Sequence, residues 1–375
     1  MLPYGRQSIT SDDIAAVVEA MRGDRLTSGP QVVAFEKELA EHVGGTPCVA
    51  VSSGTAALHT AYAAAGLSAG DEVITSPITF AATATTAVLR GATVVFADVR
   101  DDGAPTIDPD AVRSAVTPKT RVISVVDYAG HPAEYEPLRA VAADAGAALV
   151  ADAAHSFGAT YRGAQVGTLA DLTAFSFFPN GPITTGEGGA LAVADPALRR
   201  RARYFRDLGQ VGEGGDQRQP NEGGWHQEVQ ELGLNYRLSD ILCGLGRSQL
   251  RRVAFFTARR AAIARRYAEL LVDIPGLGLP TVRDDVTHAW HLYPVRVSDG
   301  RRREVYDRMT AAGIGVAVHY LPVYRHPVFA ERGYRRGMCP RAEAFYADQL
   351  SLPIFPDLTD AEQDKVVAEL RQILG

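Results

Sequence analysis

Five short stretches hold the side chains best suited to chemistry. Ser52-Ser53-Gly54-Thr55 precedes an Ala-rich segment with helical spacing. Small residues and backbone N–H groups at a helix N-terminus form an anion site suited to a phosphate. The same residues also read as a simple helix cap. Asp152 ends the apolar run 148–151. A carboxylate at the C-terminal end of a strand stands where α/β sheets bind ligands. It reads either as a loop cap or as the group that keeps a proton on the ring nitrogen of a pyridine-type cofactor. Phe80, after Ser76-Pro77-Ile78-Thr79, is either a core residue or a ring that stacks on a flat ligand. Ser176 lies in Phe175-Ser176-Phe177-Phe178, where a lone hydroxyl among aromatic rings needs a partner. Thr184-Thr185-Gly186-Glu187-Gly188-Gly189 is a tight polar turn ahead of another apolar run.

These residues need a frame that presents them along one edge. Short apolar runs at 48–51, 72–75, 93–96, 122–126, 148–151, 173–177 and 190–193 read as buried parallel strands. Helical segments such as 55–65 and 137–145 lie between several of them. The alternation predicts an α/β fold, a sheet covered on both faces. Thr10-Ser11-Asp12-Asp13 opens a first helix, with Ile14, Val17, Val18 and Met21 on one face and Gly23 as its stop. Near residue 255 the texture shifts. An arginine-rich helix over 251–271 ends at Pro275-Gly276-Leu277-Gly278. A smaller α+β unit follows: a strand at 291–297, a helix at 303–312, a strand at 315–319 and a last helix from Asp360. The expected division is therefore 1–254 and 255–375. The polar, glycine-rich stretch 212–224 reads either as a mobile lid or as a disordered insertion.

Composition narrows the function classes. The 375 residues are 46% hydrophobic and 22% charged, which supplies a sizeable core and excludes global disorder. The net charge of −6 argues against nucleic acid or an anionic membrane as the main partner. Cys48, Cys243 and Cys339 are odd in number and lack CxxC spacing, so neither a disulfide framework nor a structural zinc site is expected. With no apolar signal core at the N-terminus and no long uncharged apolar stretch, the expectation is a cytoplasmic protein. Only three lysines occur, Lys37, Lys119 and Lys365; the remaining 38 − 3 = 35 basic residues are arginine.

Taken together, the order of these motifs after successive strands resembles the DegT/StrS-like sugar aminotransferases. The resemblance runs over nearly the whole chain, through Leu26-Thr27-Ser28-Gly29-Pro30, Ser53-Gly54-Thr55-Ala56-Ala57-Leu58, Thr79-Phe80, Asp127-Tyr128-Ala129-Gly130, Asp152-Ala153-Ala154-His155, Asn235-Tyr236-Arg237 and His319-Tyr320-Leu321-Pro322. It implies the fold type I of aspartate aminotransferase, with a mostly parallel seven-stranded sheet and pyridoxal 5′-phosphate (PLP) or pyridoxamine 5′-phosphate (PMP) as cofactor. By this resemblance Ser53, Gly54, Thr55 and Ser176 would bind the phosphate, and Phe80 would stack on the ring. Asp152 would meet the ring nitrogen and His155 would lie near the 3-hydroxyl. Asn235 would reach the phosphate of a neighbouring subunit, which implies a homodimer with shared sites; on its own residues Asn235 reads as a turn.

One family position departs. Where the pattern has its Schiff-base lysine shortly before Thr-Thr-Gly-Glu-Gly-Gly, this chain has Gly181, without a gap. Phe178, Asn180 and Pro182 around it depart as well. Lys37, Lys119 and Lys365 lie on segments that read as solvated surface, so none is expected to substitute. That lysine holds the cofactor and moves the substrate proton, and losing such a group costs about 10²–10⁴-fold in rate. Conventional transamination is therefore not expected. Lysine-less dehydratases of this fold use PMP and carry histidine at the position, which matches this chain only in part. His155 is the nearest candidate base, with His226 and His319 further away; each also reads as a hydrogen-bonded structural histidine. Arg237, Tyr320 and the Phe178-to-Gly181 segment complete the expected substrate pocket.

Four functions stay open on these grounds. The first is an enzyme that binds PLP or PMP non-covalently and carries out elimination, deoxygenation or a related step on a sugar or other secondary metabolite. A sugar nucleotide is one candidate substrate. The second keeps the fold without the cofactor and does cyclisation or hydrolysis. The third is a non-catalytic partner of an active homologue. The fourth is a conventional aminotransferase.

Overall fold

The fold is that of a computed structural model, which describes residues 1–211, 217–220 and 222–375. Its frame is a seven-stranded sheet. Across the sheet the strands are Cys48–Val51, Gly189–Ala192, Leu172–Ser176, Ala148–Asp152, Thr120–Val126, Glu72–Thr75 and Thr93–Phe96. Gly189–Ala192 is antiparallel to both its neighbours, and the other pairings are parallel. Six strands thus share one direction. All seven expected strands form, with ends within two residues of expectation. The reversed one was not foreseen, because a central strand is apolar on both faces whichever way it runs.

Helices cover the sheet. Gly54–Ala64 is capped by Ser53 and is buried from Ala56 to Ala64. It lies between the sheet and the helices Ala82–Leu89 and Pro196–Arg206, so its apolar residues go all round rather than along one stripe. Tyr135–Ala145 ends at Gly146, whose φ of 63° favours glycine.

The C-terminal part forms a three-stranded antiparallel sheet of Leu277–Gly278, Tyr293–Val297 and Gln349–Leu352. It shares a hydrophobic cluster with the helices Val253–Leu271, Arg302–Ala311 and Asp360–Leu374. Leu2 joins that cluster and bridges Ile314. The strand expected at 315–319 does not form. Its backbone is divided between two partners: Gly315 N–H donates to Leu2 O at 2.7 Å, and Ala317 forms an isolated bridge to Ser351. Gln349–Leu352 takes the place in the sheet instead. The expected helix over 251–271 begins at Val253, separated by a short break from Asp240–Leu250. Within the loop expected at 212–224, residues 212–216 and 221 lie outside the described residues. The N–H groups of Arg218 and Gln219 donate to the Glu228 carboxylate at 2.7 and 2.6 Å.

The three cysteines are buried and free. Among the described residues no helix is long and apolar enough to cross a membrane.

Candidate active site

A cavity of about 430 Å³ opens beyond the C-terminal ends of Cys48–Val51, Ala148–Asp152 and Leu172–Ser176. Its wall brings together Ser53, Gly54, Thr55, Phe80, Asp152, His155, Ser176, Phe178, Asn180, Gly181, His319 and Tyr320. Strand ends converge there because the parallel strands all point the same way, and the loops that leave them are free of the sheet's hydrogen bonding.

One end of the cavity is built for an anion. Ser53 Oγ accepts from Ala56 N–H at 3.1 Å, so the helix cap and the anion site share the same turn. The N–H groups of Gly54 and Thr55 have no partner among the described residues, and neither does Ser176 Oγ. A side chain at Gly54 would meet Ser176 Cβ at 2.7 Å and Oγ at 2.9 Å. Glycine therefore lets the serine hydroxyl sit directly against the helix N-terminus.

Asp152 is 5% exposed. Its Oδ2 accepts from Thr83 Oγ1 at 2.6 Å and its Oδ1 from Ala154 N–H at 3.3 Å. Burial pushes this carboxyl above its ordinary range, against the pull of those two donors. No cation pairs with it among the described residues. Phe80, in contrast, is 61% exposed, with its ring edge-on to that of Tyr320 at 6.1 Å. A core role for Phe80 is excluded by that exposure.

His155 has both ring nitrogens engaged. Ala129 N–H donates to Nδ1 at 3.2 Å, and Nε2 lies 3.2 Å from Tyr320 Oη. The ring stacks on His291 at 4.1 Å. Burial, with His319 adding to it, holds the imidazole down to about 3, so it is neutral. With Nδ1 accepting a backbone N–H and Nε2 facing Tyr320, both ring nitrogens of His155 are occupied in this structure. His319 is also tied into structure: its N–H donates to Gln349 Oε1 at 2.8 Å, and its Nδ1 lies 2.9 Å from Ser351 Oγ.

Gly181 closes a turn with Phe178, donating its N–H to the Phe178 carbonyl at 2.9 Å. Pro179 and Asn180 occupy the central positions, in keeping with the turn signal of Asn-Gly-Pro. Asn180 Nδ2 donates to Tyr4 Oη at 2.7 Å. No lysine lines the cavity, and Lys37, Lys119 and Lys365 are exposed.

Three expected residues stand elsewhere on this chain. His226 bonds to Glu228 Oε1 at 3.1 Å, and Asn235 is exposed, bridged to Asp207. Arg237 pairs with Asp207 at 3.6 Å and lines a second cavity with Arg203, Arg206 and Glu36. Conversely, Tyr4 and His291 were missed. Tyr4 had no local signal. His291 closes His288-Ala289-Trp290-His291, a dense polar-aromatic cluster ahead of a strand that could have marked it.

A mostly parallel α/β sheet with an anion site, an exposed ring and a buried carboxylate along one edge is the architecture of the fold type I transferases. The chain matches the DegT/DnrJ/EryC1/StrS aminotransferase family over residues 7–371 and belongs to it. Among its relatives is the spore coat polysaccharide biosynthesis protein SpsC of Bacillus subtilis (strain 168). It is 38% identical over 379 residues, covering 100% of this chain and 97% of SpsC. The fold is similar to that of Helicobacter pylori PseC, an aminotransferase involved in the biosynthesis of pseudoaminic acid. Here the TM-score is 0.92 and the identity 28%, over 100% of this chain and 99% of PseC. It is similar as well to the PMP form of Spr1654 from Streptococcus pneumoniae, with a TM-score of 0.93 and 27% identity over 100% and 99% of the two chains.

Proposed function

We propose that this chain is an enzyme that holds PLP or PMP in the cavity without a covalent link and acts on a sugar or other secondary metabolite. Elimination, deoxygenation or a related step is the reaction class, and a sugar nucleotide is one candidate substrate. The observation that carries the reading is Gly181 on the wall of a cavity whose other cofactor-facing positions hold fitting groups. Relatives named for polysaccharide and pseudoaminic acid biosynthesis support the substrate class.

The free N–H groups of Gly54 and Thr55, with Ser176 Oγ, would hold the phosphate. Phe80 would lie against the ring face. Asp152 would meet the ring nitrogen. A buried carboxylate without a cation is costly, and a protonated nitrogen supplies the missing charge. When bound, the cofactor supplies an electron sink. Gly181 offers no amine, so the attachment and proton transfer that lysine provides have no counterpart there. This disfavours conventional transamination.

The reading includes a cytoplasmic homodimer with shared sites. Trp225, Val229 and Leu232 are 77%, 66% and 92% exposed on the single chain, beside the exposed Asn235, which supports a partner surface. Free buried cysteines suit a reducing compartment. A division of the chain at 254/255 is part of the same reading, supported by the separate C-terminal hydrophobic cluster.

Absorbance titration tests it. Saturable binding of PMP or PLP is expected, with no adduct fixed by borohydride, and Asp152→Ala should abolish binding. No binding at millimolar cofactor, or an adduct on Lys37, Lys119 or Lys365 on which turnover depends, would overturn it.

A further inference from the structure

We propose that Tyr320 donates a hydrogen bond to an oxygen of the ligand in this cavity, the 3-oxygen of a PLP- or PMP-type ring, and that His155 is a positioning residue that sets the direction of the donation. The inference rests on reading the cavity as a cofactor site.

The direction follows from a backbone group. The N–H of Ala129 can only donate, so its contact with His155 Nδ1 at 3.2 Å makes that nitrogen the acceptor. A neutral imidazole carries its one proton on the other nitrogen. His155 Nε2–H therefore faces Tyr320 Oη, 3.2 Å away, and donates to it. Tyr320 Oη is then an acceptor on that side, and its own hydrogen must point elsewhere. Among the described residues Oη has no second partner, and Tyr320 lines the cavity. The free O–H thus addresses the ligand space, close to the ring of Phe80.

Each member of the relay is held. His155 stacks on His291, with 17° between the rings. Ala129 has a φ of 60°, a left-handed conformation disfavoured for a residue with a side chain, and Tyr128 Oη donates to the carbonyl of His319 at 2.6 Å. The backbone before Tyr320 and the donor behind His155 are thereby both fixed. Burial of His155 keeps the imidazole neutral, in accord with the tautomer assigned. The relay starts at a group that cannot accept a proton, so it orients Tyr320 and does not resupply it.

The test measures dissociation constants of PMP and of an analogue lacking the 3-oxygen, by absorbance, on the full chain. Tyr320→Phe should weaken PMP about tenfold or more and shift the spectrum of the bound cofactor, with the analogue unaffected. In His155→Gln the amide oxygen can accept from Ala129 N–H and the amide nitrogen can donate to Tyr320. That variant should stay within about threefold of the wild type, while His155→Leu should lose at least as much as Tyr320→Phe. Thermal unfolding of each variant separates lost binding from lost fold. Wild-type affinity and spectrum in folded Tyr320→Phe would overturn the inference alone, as would an equal loss for PMP and the analogue. A wild type that binds neither PMP nor PLP would overturn the reading of the cavity and this inference with it.

Discussion

The guanidinium of Arg260 donates to the carbonyl oxygen of Gly181 at 3.2 Å. The same Nη2 reaches Asn180 O at 3.1 Å, and Nη1 reaches the carbonyls of Trp290, His291 and Ile354 at 3.1, 3.3 and 3.2 Å. Arg260 is 1% exposed and pairs with no carboxylate among the described residues. Burial lowers it to about 10, which still leaves it charged at neutral pH. One buried cation thus pins the turn at Gly181 to two loops of the C-terminal part.

Removing that cation should unfold the junction first. In Arg260→Met the carbonyls lose their donor inside a dry interior, at a cost of about 3 kcal/mol or more. Arg260→Lys should recover little, because a point ammonium cannot span five acceptors on a planar fork. Urea midpoints measure both. A loss under about 1 kcal/mol in Arg260→Met would mean that the carbonyls find other partners.

Gly181→Lys should create what the wild type lacks. A side chain there brings Cβ to 3.0 Å from Phe178 O and 3.1 Å from Ile183 O, both backbone atoms. The turn must shift by a few tenths of an ångström, at a cost of about 1–2 kcal/mol in the unfolding midpoint. Mass spectrometry after PLP and borohydride should find an adduct at position 181 in the variant and none in the wild type. No adduct in a folded variant would place Gly181 away from the reactive end of the cofactor.

Asp152→Asn should act on stability and binding with opposite signs. The apoprotein should be unchanged or firmer, since a buried carboxylate without a cation is replaced by a neutral amide that suits Thr83 and Ala154 N–H. PMP should bind about a hundredfold more weakly, because the ring nitrogen loses its counter-charge. Thermal unfolding of the free protein and an absorbance titration check the two halves separately.

Acid should weaken the fold below pH 6.5. Burial holds His59, His131 and His319 down to about 4 and His155 to about 3, with His288 and His291 well below the usual value. An unfolded chain takes up these protons near 6.5, so between 6.5 and 4 it binds more of them than the native state. Stability is then full above 6.5 and falls with pH, by up to about 1.4 kcal/mol per pH unit for each histidine. Asp127, raised to about 6 by burial, and Asp152, also raised, act in the opposite direction. Six imidazoles outweigh two carboxyls, so the urea midpoint should drop steadily from pH 6.5 to 4. A flat profile would show that these rings are hydrated.

Much of the site was legible because its chemistry lies at strand ends. Asp152 and Ser53 follow runs that the sheet must bury and Ser176 lies near the end of another, and such positions face the ligand edge of an α/β sheet whatever the rest of the chain does. Phe80 was ambiguous, since a ring after a strand suits a core as well as a ligand; only its exposure separates the two. Tyr4 and Arg260 reach position 180 through contacts spanning 176 and 80 residues, which no local pattern encodes. The strand expected at 315–319 failed for a similar reason, because Leu2 competes for its backbone.

By itself the sequence determined the α/β class, the order of the strands along the chain, the ligand edge and the absence of lysine at position 181. These depend on residue type and short-range periodicity, which a linear string carries in full. Only the tertiary structure decided the reversal of Gly189–Ala192, the tautomer of His155 and the anchoring of Gly181 by Arg260. Each of those depends on which distant group supplies a hydrogen-bond donor at about 3 Å, and that is settled by packing, not by composition.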